Sequence, residues 1–298
     1  MTNKRMISSV LSLIMALSLA LPVCADSTGD NGSKSRFDDG RYLSNGEYLY
    51  TVNDDDTVTL NLYIGNDDDI VVPEEIDGKT VTELGIYEIN GQDDFYPEYS
   101  VFADVFHANS LTLPSTIKKA SWLLYGGFFD KIDIGDGIET IPLEMLFMQE
   151  HLKELRIGSS VKRLVERQLD LCTDLKELYV PETVEEIGDH AFGMTNKGVI
   201  EDFILYCKSG SAAEEYAVAN GINYYLVNID PALASKGDIT FDDIIDTKDA
   251  LKAVSFAKKS IKPRNAEFTA ADVNADGRLD SKDAMLLINA AKNKTAIE

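Results

Sequence analysis

The sequence predicts a multidomain α+β protein, a β-rich solenoid of short repeats followed by a small all-α module of paired loop–helix units. Three observations carry that prediction. Apolar residues recur every 21 to 23 residues between Leu111 and Phe192. From residue 236 that period stops, and two loops rich in oxygen ligands appear 34 residues apart, each leading into an amphipathic helix. The 298 residues are 44% hydrophobic and 27% charged, a globular composition with apolar material for two cores.

The charge balance narrows the partners. With 51 acidic against 28 basic side chains, the net charge is -23 and the pI about 4.4. Nucleic acid and anionic membrane surfaces both need a basic face, so neither is an expected partner.

Residues 1–25 read as a secretory leader. Lys4 and Arg5 precede an apolar run from Met6 to Leu21, and Pro22-Val23-Cys24-Ala25 supplies small residues for cleavage after Ala25. A lipid anchor on Cys24 is the alternative, but Val23 and Pro22 are poor residues before a lipidated cysteine. No later segment is apolar and long enough to span a bilayer. The chain is therefore expected to be secreted, with residues 26–45 as a flexible segment. Cys172 and Cys207 are too few for a disulfide scaffold and read as small buried apolar residues. His107, His151 and His190 form no nucleophile motif with Cys172.

The repeats occupy residues 46–228. Leu175-Lys-Glu-Leu178-Tyr-Val180-Pro181 is followed by Val184, Ile187, Ala191 and Phe192. Twenty-three residues earlier, Leu152, Leu155, Ile157, Val161 and Leu164 take equivalent places, and before them Ile132, Ile134, Ile138 and Ile141. Leu111, Leu113, Ile117 and Ala120 precede these; Phe203, Ile204 and Leu205 follow, and residues 71–84 form an irregular first unit. Leu178 and Val180 alternate as a short strand, with Glu177 and Tyr179 outward. Pro181 cannot donate to a ladder and forces a turn. One such unit cannot bury its own apolar face, but stacked units bury it against each other. Asp54–Asp56 and Asp67–Asp69 lie between strand-like stretches and read as solvated turns. A solenoid of such short units offers no obvious cleft.

Residues 175–192 resemble the bacterial BspA-like leucine-rich repeat pattern, Leu-x-x-Leu-x-Val-Pro-x-x-Val-x-x-Ile-Gly-x-x-Ala-Phe. The stretch from Cys207 to Tyr224 resembles that family's terminal cap: a Gly-Ser turn, a helix and a final strand. The resemblance implies an outward strand face suited to binding a protein or a glycan.

After a linker at 229–235, residues 236–298 carry the chemistry. Asp272, Asn274, Asp276, Asp280 and Asp283 occupy positions 1, 3, 5, 9 and 12 of a loop, with the Arg278 carbonyl at 7 and Gly277 at the sharp turn. Calcium needs six to eight oxygens, and this spacing supplies them. Upstream, Asp238, Thr240, Asp242, Ile244 (through its carbonyl), Asp246 and Asp249 map onto the same positions. Identities extend to Lys248/Lys282, Ala250/Ala284, Ala257/Ala291 and Lys258/Lys292. Thr240 is a weaker ligand than Asn274, and Asp243 replaces the turn glycine, so the second site is expected to be the tighter of two Ca²⁺ sites. Without a cation, several carboxylates within a few ångströms repel. The helices that follow carry Leu251, Val254 and Ala257 in one half and Met285, Ile288 and Ala291 in the other.

Two calcium loops with Asp at position 12 at the end of a secreted chain resemble a dockerin, and Glu267–Ala271 resembles its short middle helix. That resemblance implies calcium-dependent docking onto a cohesin module of a scaffoldin, in a cellulosome-type assembly that degrades plant polysaccharide. It assigns cohesin contacts to Thr247, Lys248, Val254 and Ser255 in one half, and to Ser281, Lys282, Ile288 and Asn289 in the other. The near-symmetry of these sets implies docking in two orientations. The leading expectation is a non-catalytic secreted component. The alternatives are an adhesin or accessory protein recognising another protein, and a polysaccharide-degrading enzyme, which would need facing carboxylates across a cleft.

Overall fold

The structure, a computed structural model, describes residues 42–293 except 86–100, 103–104, 106–107, 121–128, 143–144, 147–148, 168, 170–171 and 196. The expected leader lies outside the described residues, as does His107.

Seven short strands form one sheet, in the order Asn223–Leu226, Ile204–Cys207, Glu177–Tyr179, Glu154–Arg156, Lys131–Asp133, Ser110–Thr112, Asp69–Val71. Every neighbouring pair is parallel. The period of the sequence becomes the register, with Arg156 opposite Tyr179 and Lys131 opposite Glu154. Leu111, Ile132, Leu155, Leu178 and Leu205 point inward and are buried, while their strand neighbours face outward, as a two-residue period requires. The ladder continues one residue past each strand: Ile134 donates its N–H to the Arg156 carbonyl at 3.1 Å, and Val180 to that of Tyr206 at 3.0 Å. Each coil then returns through a two-residue strand. Thr140–Ile141, Arg163–Leu164 and Glu186–Ile187 pair in parallel on the other side of the core. Leucine, isoleucine and valine from successive coils fill the space between, in one continuous cluster.

The start of the solenoid follows a different rule. Tyr48–Val52 and Val58–Tyr63 form an antiparallel hairpin, turned by Asp54–Asp56 with Asp56 at φ 67°. Val58–Tyr63 is buried along its whole length and pairs with Lys79–Leu84, which in turn pairs with Lys119–Ala120. The hairpin thus covers the edge that a first coil would leave open. At the other end, helix α1 (Ala212–Asn220) begins on the Ser211 side chain and ends on Gly221 at φ 68°. The Tyr216 hydroxyl donates to the Phe192 carbonyl at 3.0 Å. Cys172 and Cys207 are both buried, and burial pushes the Cys207 thiol up to about 11.

The C-terminal part contains α2 (Thr247–Ala257), α3 (Asn265–Ala271) and α4 (Ser281–Asn293). Ala250, Ala253 and Phe256 of α2 meet Ala284 and Leu287 of α4 in a small core with Ile239, Ala271 and Val273. The expected apolar stripes are therefore rotated. Leu251 is 68% exposed and Met285 63%. Alanines at the contact let the two backbones approach closely, and the larger residues one position on are left outside.

Candidate metal-binding and docking site

The two loops are built alike. In the first, Asp249 Oδ1 accepts the Ile239 and Thr240 N–H groups at 2.8 and 2.9 Å, and Oδ2 accepts that of Asp246 at 2.9 Å. Asp238 accepts the amides of Asp242 and Asp243 at 3.2 and 2.9 Å. Asp246 caps α2 through the Lys248 N–H. Position 9 and position 12 thus form a capping box for the helix, and Asp249 at position 12 also reaches across the loop to the Ile239 and Thr240 amides. The second loop repeats this: Asp272 accepts from Asp276 and Gly277, Asp283 from Asn274 and Asp280, and Asp280 from Lys282. Asn274 Oδ1 accepts the Asp276 N–H at 2.9 Å, and Asp276 accepts that of Arg278 at 3.0 Å. Backbone at positions 4 and 6 is left-handed in both: Phe241 φ 58° and Asp243 φ 67° in one, Ala275 φ 56° and Gly277 φ 75° in the other. Asp243 therefore does the work of the missing glycine, a conformation Asp tolerates better than most residues.

The residues of the first loop suit a hard cation. Carboxylate oxygens of Asp238, Asp242 and Asp249 lie within 4.8 Å of one another, the one such group among the described residues. Asp238 and Asp249 are buried. Thr240 Oγ1 is buried without a hydrogen bond of good geometry. Burial, with Asp249 adding to it, raises the Asp238 carboxyl above its ordinary range against the pull of the Asp243 and Asp242 amides. A hydrogen bond from Lys248, 2.7 Å from Asp242, holds that carboxyl below it. Ile244 is exposed at position 7, its N–H donated to Asp242 at 3.2 Å. The better-converged loop is thus the one with the less regular sequence.

Thr247, Lys248, Ser281 and Lys282 stand exposed at the starts of α2 and α4, and Ile288 and Asn289 are exposed along α4; Val254 and Ser255 are half-buried. The two halves differ, because Lys248 is held by Asp242 at 2.7 Å whereas Lys282 is 3.9 Å from Asp276. Leu251, Met285 and Leu286 are further exposed apolar residues beside these positions. Their apolar character is legible in the sequence, but their outward direction is not.

The solenoid's outward face changes along its length. From Thr112 through Asp133 and Arg156 it is polar and internally paired: Arg156 reaches Asp133 at 2.7 Å and Asp136 at 3.0 Å. At Tyr179, Tyr206 and Tyr225 it turns aromatic, and here the C-terminal part sits on it. Phe241 stands edge-on to Tyr206 with ring centroids 6.0 Å apart, and Arg264 lies over Tyr225 at 3.5 Å. The segment expected as a linker packs too, through Ile229 and Ala234. Tyr179, expected outward, is half-buried beneath this cover, and burial, with nearby Asp230 and Glu182, raises its hydroxyl pKa.

A cleft of about 770 Å³ opens where α1 stands away from the returning strands, lined by Arg163, Glu166, Glu185, Glu186, Asp189 and Glu215 among others. Repeats of this length do not suggest it, because it is made by the cap helix. Arg163 pairs at 3.1 Å with Glu186, its neighbour on the adjoining returning strand, along the wall that faces α1. No helix among the described residues is long and apolar enough to cross a membrane.

Comparison with known families agrees with this division. Residues 98–220 match the BspA type leucine rich repeat region, in 6 copies, and residues 236–290 match the dockerin type I domain. No catalytic domain is among the matches, and no curated protein matches. Among solved structures, the T. pallidum leucine rich repeat protein is 19% identical, covering 55% of this chain and 70% of that one, with a TM-score of 0.41. A leucine rich cell surface protein from Faecalibacterium prausnitzii A2-165 is 18% identical, over 56% and 54%, at 0.29. The pneumococcal vaccine antigen PcpA is 16% identical, over 57% and 51%, at 0.33. The chain spans about half the length of the last two.

Proposed function

Because the chain carries a BspA-type leucine-rich repeat region followed by a type I dockerin, we propose that it is a secreted, non-catalytic component of a cellulosome-type assembly. In this reading the dockerin takes up two calcium ions and docks onto a cohesin of a scaffoldin, while the repeats hold a protein or glycan ligand. Fixing both on one scaffold raises the local concentration of whatever the repeats bind.

The observation that carries the reading is the duplicated loop, with the Asp238, Asp242 and Asp249 oxygens converged in the first copy. Those residues, with Thr240, Asp246 and the Ile244 carbonyl, would hold one ion; Asp272, Asn274, Asp276, Asp280, Asp283 and the Arg278 carbonyl would hold the other. A bound divalent cation neutralises carboxylates whose oxygens otherwise repel. Exposed Leu251 on α2 and Met285, Leu286 and Ile288 on α4 add apolar area on the helices that begin with Thr247, Lys248, Ser281 and Lys282, of the kind a protein partner covers.

The test is calorimetric titration of calcium into the full chain, followed by capture on a panel of cohesins with and without chelator. Uptake of two ions and chelator-sensitive capture are expected. Absence of uptake would remove the docking role. Met285→Lys with Ile288→Lys should weaken capture while leaving calcium uptake intact. Paired substitutions at Thr247 and Lys248, compared with those at Ser281 and Lys282, test whether both orientations are used: if the first pair abolishes capture and the second leaves it unaltered, a single orientation operates.

A further inference from the structure

The first calcium loop touches the repeat region through a residue that plays no part in holding a cation. Phe241 lies between Thr240 and Asp242, two of the ligand positions, and its ring is buried against Tyr206. Its carbonyl accepts the Asn228 N–H at 2.9 Å, across from the chain leaving the last strand. Tyr206, Val227, Phe241 and Ala270 form a small core of their own, with Tyr179, Ile204, Ile229 and Ala266 around it.

Polar contacts frame this core. Glu177 accepts the N–H groups of Asn265 and Ala266 at 3.0 and 3.4 Å, and the Tyr206 hydroxyl at 3.2 Å. The Arg264 guanidinium lies 3.5 Å from the Tyr225 ring centroid and 5.3 Å from that of Tyr206. Its Nη1 is buried without a hydrogen-bond partner, so the ring faces are what attract the cation there. On its other side Arg264 is paired with Glu267, which Lys252 of α2 also reaches at 2.7 Å. The chain of contacts therefore runs from the repeat sheet through Arg264 and Glu267 to the helix that the first loop opens.

We infer that the aromatic end of the repeat sheet is the docking surface for the chain's own helical module, and that this seating and cation loading of the first loop are one coupled equilibrium. Loading fixes the backbone on both sides of Phe241, and seating fixes Phe241 itself, so each lowers the ordering cost of the other. In the second loop the residue equivalent to Phe241 is Ala275, which has no ring to seat. The coupling is therefore specific to the first loop. An external ligand of the repeat face is left the polar stretch from Asp69 to Arg156. The inference rests on the reading of the first loop as a calcium site.

The repeat region can be altered without touching a loop residue, which makes the test clean. Calcium is titrated into the full chain carrying Glu177→Ala or Tyr225→Ser, with Lys118→Ala as a distant control; circular dichroism verifies the fold, and hydrogen exchange is followed over residues 228–241. Both repeat variants should weaken one of the two sites by about fivefold or more, leave the other unchanged and speed exchange in that stretch, while the control matches the unaltered chain. Unchanged affinity at both sites in both folded variants would overturn the coupling alone. Absence of calcium uptake by the unaltered chain would overturn the coupling and the calcium reading together.

Discussion

Gly158→Ala should be among the most damaging single-methyl changes in the repeat region. Gly158 starts the turn after the Glu154–Arg156 strand, where successive coils touch backbone to backbone. A Cβ placed there would fall 1.6 Å from the Gly135 carbonyl oxygen and 2.6 Å from its carbon. No side chain can swing aside, so the coils must separate by about 2 Å to restore ordinary contact. That movement pulls on the Ile134 N–H bond to Arg156 at 3.1 Å and on the Ser159 N–H bond to Asp136 at 2.7 Å. Losing two such bonds, one of them charge-assisted, together with local overpacking costs about 3–5 kcal/mol. The proper comparison is Gly78→Ala, at φ +76° with nothing within 4 Å. Only backbone strain opposes that change, about 1–2 kcal/mol. Urea unfolding of the full chain, followed by circular dichroism, should rank the two variants in that order. Equal losses would refute the reasoning, because they would mean the coils are not packed at this contact.

Asp249→Asn should weaken calcium uptake at the first loop by tenfold or more, since it removes one of three converged carboxylates and turns an N–H donor toward the Asp246 amide; calorimetry of the full chain measures it, and wild-type affinity would sink the assignment of Asp249 as a ligand. The seating of the helical module should weaken in acid. Burial draws the Glu267 carboxyl upward, but Arg264 and Lys252 outweigh it and hold it below the usual range. A carboxylate so depressed contributes stability that is complete above its ordinary pKa and is lost as pH falls through the depressed value. Protection factors over 264–271, with the intrinsic pH dependence of amide exchange divided out, should therefore be flat from neutral pH to about pH 5 and fall below about pH 4; a flat profile throughout would contradict the ion pairing. Cys172 and Cys207 should resist alkylation at neutral pH until urea unfolds the chain, since both are buried and burial pushes the Cys207 thiol up to about 11; rapid labelling of either residue in the native chain, located by peptide mass, would refute that packing.

What the sequence determined by itself is whatever is encoded by short spacings. A strand of three residues shows its buried side in a two-residue alternation, and Pro181 marks its end. A loop that must wrap an ion needs oxygens at fixed offsets, so Asp238 to Asp249 and Asp272 to Asp283 are readable without coordinates. The tertiary structure alone decided the rest, because it depends on residues far apart in the chain. The antiparallel hairpin at Tyr48–Tyr63 covers the edge of the Lys79–Leu84 strand, which also pairs with Lys119–Ala120, a strand far along the chain from the hairpin. The cleft exists because α1 packs beside strands that precede it. Leu251 and Met285 face solvent because alanines on the neighbouring helix face allow a close approach. The bond from Asn265 to Glu177 joins residues 88 positions apart. Nothing in the local pattern around either predicts the other, so the seating of the C-terminal module on the repeat face belongs to the fold and not to the motif.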